Sequence, residues 1–154
     1  MPNWCSNSIT VSHTDPAMIT KFADACREGK LFETFAPLPT KDGEWEYGTA
    51  IETWGTKWDI NNEDIIINYQ KEDVINLHFD TAWSPPITFY EKFIEKYGGE
   101  IHATFCEPGN DFIGMYGPEG VKDWSLTDPN VPESLKEDYE GIYLDMQEME
   151  EENN

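Results

Sequence analysis

Val74-Ile75-Asn76-Leu77-His78-Phe79-Asp80-Thr81 alternates without a break. Ile75, Leu77 and Phe79 fall on every second residue, and Asn76, His78 and Asp80 fill the places between them. That period of two is the signature of a strand with one buried and one wetted face. Just upstream, Ile65-Ile66-Ile67 is an unbroken β-branched run and reads as a buried strand. The polar Lys71-Glu72-Asp73 between the two segments is a turn, so together they predict a hairpin.

Working outward, each flank of this hairpin carries a helix and then a strand. Upstream, Ile9 and Val11 share one face of a strand over Asn7 to Val11. Thr14-Asp15-Pro16 supplies a cap and a proline in the first helical turn. Met18, Phe22 and Cys26 then recur every four residues with Ile19 and Ala23 beside them, until Gly29 ends the segment. Downstream, Ser84-Pro85-Pro86 starts a second helix whose apolar face is Tyr90, Phe93, Ile94 and Tyr97, and Gly98-Gly99 stops it. Ile101, Ala103 and Phe105 alternate in the next strand. Glu107-Pro108-Gly109-Asn110 turns the chain, and Phe112 to Tyr116 returns as an extra strand. Strand, helix, hairpin, helix, strand is the split βαβ order of a ferredoxin-like α+β sandwich. The predicted domain covers residues 1–131. It carries an insertion at about residues 30–58, in which Phe35-Ala36-Pro37-Leu38-Pro39 is extended and Tyr47 to Trp58 reads as a short helix. Residues 118–131 receive no assigned element.

From Pro132 the character changes. Leu135, Tyr139, Ile142, Tyr143, Met146 and Met149 have helical spacing, and residues 132–154 hold nine carboxylates against one lysine. This predicts an acidic C-terminal helix ending in a frayed tail, Glu150 to Asn154. The whole chain has 31 acidic and 10 basic residues, a formal charge of −21 on 154 residues, with Arg27 the single arginine. Solubility needs far less. Residues 42–80 hold a second concentration, ten acids and two lysines. Disordered acidic chains are poor in aromatics. This one is 14% aromatic, so it is expected to fold.

Five segments occur in an order that resembles a known family: Met1-Pro2-Asn3-Trp4-Cys5-Ser6-Asn7, Phe35-Ala36-Pro37-Leu38-Pro39, Trp54-Gly55-Thr56-Lys57-Trp58-Asp59, Thr81-Ala82-Trp83-Ser84-Pro85-Pro86 and Glu107-Pro108-Gly109-Asn110-Asp111-Phe112. They resemble the YubB-type ferredoxin-like family found on bacteriophages and conjugative plasmids, over about residues 1–117. The resemblance implies the same sandwich and a mobile-element setting. It implies no activity and leaves the acidic helix outside its span.

The chemistry that this composition excludes is informative. DNA binding requires basic residues that replace counterions, and this surface repels phosphate. No Gly-x-x-x-x-Gly-Lys or Gly-x-Gly-x-x-Gly loop occurs, nor a Gly-x-Ser-x-Gly elbow. His102 and Cys106 share a strand face, and His78 and Asp80 share another, but neither grouping has zinc-ligand spacing. Cys5 with His13 or His78 forms a dyad only if the fold unites them, and an acidic setting disfavours a thiolate. The three cysteines are read as buried thiols. No run approaches the ~20 apolar residues of a membrane span, and the opening residues lack a signal-peptide pattern.

The expected protein is therefore a non-enzymatic, cytoplasmic binding protein of the bacterial host, without metal or cofactor. Its partner is a basic host protein, in particular a nucleic-acid-binding defence component whose phosphate ligand the carboxylates imitate. It contacts neither nucleic acid nor membrane. Glu133, Glu137, Asp138, Glu140, Asp145 and Glu148 are the candidate partner-binding residues, and the tyrosine and methionine face of their helix docks either on the body or on the partner. The alternative is a small-ligand or peptide pocket lined by Trp54, Trp58 and Trp83 packed together, with Asp59 and Ser84 as polar handles. In that reading the charge serves solubility alone; as core residues instead, the three tryptophans pack together with Lys57 and Asp59 paired nearby.

Overall fold

The computed structural model describes residues 3–152. Six strands build one sheet: β1 Trp4–Ser12, β2 Ile65–Gln70, β3 Val74–Ala82, β4 Glu100–Glu107, β5 Phe112–Gly117 and β6 Gly120–Trp124. Their order is β2-β3-β1-β4-β5-β6 and every neighbouring pair is antiparallel. The first four strands, with helices α1 Pro16–Arg27 and α4 Ile87–Tyr97 between them, form the ferredoxin-like sandwich that the sequence predicts. Asp15 accepts the Ala17 N–H at 3.0 Å, and Pro16 occupies the first turn, so the predicted cap starts α1.

The alternating stretch takes the orientation its period dictates. Ile75, Leu77 and Phe79 are buried against the helices, opposite Val11, Ile9 and Asn7 of β1. Asn76, His78 and Asp80 emerge on the other face. The isoleucine run of β2 behaves differently from the buried strand expected. Ile65 and Ile67 lean on the core, whereas Ile66 is 59% exposed. β2 is an edge strand, and the helices cover only one of its faces, so a continuous apolar run does not imply two buried faces.

The insertion closes the core from the side. It contains α2 Leu31–Phe35 and α3 Tyr47–Trp54, and contributes Leu31, Phe32, Phe35, Ala50 and Trp54 as buried residues. α3 ends four residues earlier than the helix expected to reach Trp58. Gly55 takes a left-handed φ of 82° there, and its N–H caps Ile51 O at 2.9 Å. A side chain at Gly55 would also crowd Thr88 N at 3.2 Å.

Beyond β4 the sheet gains two strands where one was expected. β6 falls in the segment left unassigned, and Leu126 and Val131 beyond it are buried. Asp111 holds this return, accepting from Leu126 N at 3.0 Å. The acidic helix is two helices, α5 Glu133–Asp138 and α6 Glu140–Glu152, broken at Tyr139. The second of them is helical to Glu152 and buries none of its side chains fully. Asn153 and Asn154, like Met1 and Pro2, lie outside the described residues.

Candidate interaction site

The terminal helices lie on the sheet face that α1 and α4 leave open. Leu135 and Tyr139 are buried with Cys106, Ile113, Leu126 and Val131, and Ile142, Tyr143 and Met146 pack beside them. Two phenols fasten the contact. The Tyr139 hydroxyl lies 3.2 Å from Thr104 Oγ1, and Tyr143 donates to Leu126 O at 2.9 Å. Of the two docking modes open in the sequence, the apolar side therefore lies on the body. The helical period then turns Glu133, Glu137, Asp138, Glu140, Asp145 and Glu148 outward, and all six are exposed. Among the described residues, Lys136 is the one cation paired with them, 3.8 Å from Glu133. Leu144 and Met149 stay exposed on the same helix.

The helices pack on Cys106 and Ile113, and the Tyr139 hydroxyl, 3.4 Å from Ser6 O of β1, marks their boundary with β1 and β3. A groove of about 350 Å³ runs along this boundary, lined by Ser6, Ser8, His78, Asp138, Tyr139, Gly141 and Ile142. The two acidic segments meet here: His78 and its neighbour Asp80 come from the hairpin, and Asp138 comes from the terminal helix. Burial raises the Asp80 carboxyl above its ordinary value, His78 opposes the shift and Asp64 reinforces it. The meeting is local. Glu72 and Asp73 lie in the turn at the far end of β3, beside the Ser12–Thr14 corner.

His78 Nε2 lies 3.4 Å from Ser6 Oγ and 3.8 Å from Asp80 Oδ1. Both neighbours meet the same nitrogen. A hydrolytic relay needs the hydroxyl and the carboxylate on opposite ring nitrogens, so this trio orders the groove without activating the serine. Cys5 is on the helix side of the sheet and His78 on the other, while His13 is bonded to Tyr97 O at 2.8 Å. The fold thus unites neither dyad. Burial raises all three thiols, Cys26 and Cys106 to about 12. His102 and Cys106 share a face as expected, but the terminal helices cover Cys106, and His102 pairs with Glu100 at 3.5 Å. Among the described residues no three His, Cys, Asp or Glu side chains converge as metal ligands would.

The five candidate pocket residues are dispersed. Trp54 is in the core, its ring tilted against Phe32 and its Nε1 donating to Ala36 O at 2.7 Å. Asp59 caps α2, accepting from Phe32 N and Glu33 N at 3.0 Å each and from Ile60 N at 2.8 Å. Burial raises its carboxyl and those three N–H groups oppose the rise. Ser84 donates to Gly55 O at 2.7 Å. Lys57 does not pair with Asp59; its Nζ sits 4.3 Å above the Trp58 ring. Only Trp58 and Trp83 are exposed, and the ring beside Trp58 is Trp4 rather than another member of the five.

Trp4, Trp45 and Tyr47 are exposed aromatics that the sequence reading missed. A signal for them exists. Trp4 has the same strand parity as Ser6 and Ser8, which places it on the wetted face, and Glu44-Trp45-Glu46-Tyr47 interleaves aromatics with carboxylates. The family described as the ferredoxin-like domain in Api92-like protein matches residues 53–140. That span starts inside α3 and includes α5, so it reaches further into the acidic segment than residue 117. No curated protein and no solved structure matches the chain.

Proposed function

We propose, for a chain that belongs to the family of the ferredoxin-like domain in Api92-like protein, a non-enzymatic role as an acidic binding protein. Its target is a basic, nucleic-acid-binding protein of a bacterial host, whose phosphate-binding surface the carboxylates occupy. The mobile-element setting rests on the five ordered segments that resemble the YubB-type proteins, and a defence component is the natural target in that setting. The observation that carries the reading is the docking of the terminal helices. Leu135, Tyr139 and Ile142 hold them on the sheet, so Glu133, Glu137, Asp138, Glu140, Asp145 and Glu148 form a fixed outward array instead of a solvated tail. A fixed array meets a basic surface without first losing the conformational freedom of a disordered segment.

Like-signed carboxylates at fixed positions create a field that steers a cationic partner and repels DNA. The test is kinetic. The partner is retrieved from host lysate at low salt, purified, and its association rate measured from about 50 to 500 mM salt, where the Debye length falls several-fold. A steered complex slows by tenfold or more over that range. The neutralised variant Glu133→Gln, Glu137→Gln, Asp138→Asn, Glu140→Gln, Asp145→Asn, Glu148→Gln associates slowly at every salt concentration. An association rate indifferent to salt and to this variant sinks the proposal. The small-ligand alternative has less support, because Trp54, Asp59 and Ser84 already spend their polar groups on the protein's own backbone.

A further inference from the structure

The geometry points to a second contact on the same protein: an exposed aromatic platform that takes arginine or lysine side chains from a segment of the basic partner. This deepens the proposed function and rests on it.

Four of the six tryptophans are exposed: Trp4, Trp45, Trp58 and Trp83. They hang from one bonded junction. Trp83 N donates to Asn3 O at 2.8 Å, Thr56 Oγ1 donates to Ala82 O at 2.9 Å, and Trp45 Nε1 donates to Lys57 O at 2.9 Å. The start of β1, the end of β3 and the loop after α3 are thereby tied together. Trp4 and Trp58 lie with ring centroids 6.3 Å apart. So many large rings in water around one junction mark an interaction surface.

Trp83 adds an independent sign. Its φ is 70°, in the left-handed region, where a bulky residue is strained. It is 44% exposed, so the strained position keeps much of a large ring in water. A strained, solvent-facing ring at a binding surface has a reason to stay there.

The chemistry selects the occupant. Lys57 Nζ is 4.3 Å from the Trp58 ring centre and 5.9 Å from that of Tyr47, so a cation already occupies this surface. Carboxylates surround it. Glu44 and Glu46 flank Trp45, and Asp80 lies two register pairs along the sheet from Trp4, opposite Ser6. Ring faces beside carboxylates bind guanidinium and ammonium groups. Arginine stacks better than lysine because its planar cation is more weakly hydrated. Nucleic-acid bases also stack on tryptophan, but the surrounding carboxylates repel their phosphates.

The probes are nona-arginine, nona-lysine and a nine-nucleotide oligo-dT, titrated into the full chain at about 0.5 M salt, where long-range attraction is screened. Nona-arginine binds more tightly than nona-lysine, and oligo-dT does not bind. Trp4→Ala with Trp58→Ala loses the arginine preference and weakens nona-arginine about two- to fivefold per ring. Because both rings are exposed, circular dichroism of this variant matches the parent. Lys57→Gln vacates the Trp58 face and strengthens nona-arginine binding, whereas the remote Lys92→Gln does not. The six-carboxylate variant retains the arginine preference at high salt and loses affinity only at low salt. Equal binding of nona-arginine by the parent and the Trp4/Trp58 variant overturns the platform, as does preferential binding of oligo-dT. Failure of the acidic-array reading is a separate result: the six-carboxylate variant then binds like the parent at low salt.

Discussion

Asp59 looks in the sequence like one carboxylate among many, and its surroundings make it structural. It receives three backbone N–H groups and thereby starts α2 and fixes the bend that presents Lys57 and Trp58. Asp59→Asn substitutes a donor for one acceptor and sets it against an N–H. A loss of about 1.5–3 kcal/mol is expected from the charge-assisted bonds, measured by urea denaturation. Trp83 has the opposite balance. Trp83→Asn suits the left-handed φ of 70°, so unfolding stability is unchanged or rises by about 1 kcal/mol while affinity for nona-arginine falls. A stability loss instead would show that the ring packs on the body.

The terminal helices are joined to the sheet by a small apolar contact of their own, separate from the main core. Leu135→Ala removes a buried side chain from that contact, a change that costs about 2–5 kcal/mol in a well-packed site. The expected result is selective: Cys106, which the helices cover, becomes labelled by thiol reagents faster, while Cys5 and Cys26 keep their parent rates by mass spectrometry. Equal acceleration of all three thiols would mean that the helices open only with the whole fold. The elements themselves were largely legible. Strict alternation in Val74–Thr81 and the four-residue spacing of Met18, Phe22 and Cys26 reflect burial on one side, which a linear pattern records. β6 left no such trace. Its Val121 and Asp123 are exposed, and it is held by backbone pairing to β5. The site was half legible. The six outward carboxylates follow from helical period. Which tryptophan is core and which is exposed depends on the path of residues 30–60, where Gly55 and Asp59 turn the chain and periodicity says nothing.

At the scale of the molecule, charge and burial predict how stability varies with the medium. A charge of −21 on one small fold repels itself. Added salt therefore raises the thermal midpoint between about 10 and 150 mM, as the Debye length contracts. A midpoint that falls with salt would mean that attractive pairs dominate. The buried thiols give a second dependence. Cys26 and Cys106 ionise at 9.0 when unperturbed but at about 12 in the fold. Between those values the unfolded chain binds fewer protons, so stability falls as pH rises above 9, by about 1.4 kcal/mol per pH unit for each thiol. Cys26→Ala with Cys106→Ala reduces that slope, read from urea midpoints between pH 8 and pH 11, and leaves the part that Cys5, Tyr90 and Tyr139 contribute.

The strand order also sets a schedule. β1 precedes the other five strands in chain order, yet it lies inside the sheet, with Val74–Ala82 on one side and Glu100–Glu107 on the other. At ~5–20 residues per second, the ribosome takes about 5–20 s to make the stretch between Ser12 and Glu107. Ile9 and Val11 have no strand to join until Val74–Ala82 is made, and their second neighbour is complete only at Glu107. The acidic helices come later still, after the surface that receives them. A chain interrupted before Pro132 leaves Cys106 and Ile113 bare, so the segment from Pro132 onward also shields the nascent sheet from aggregation.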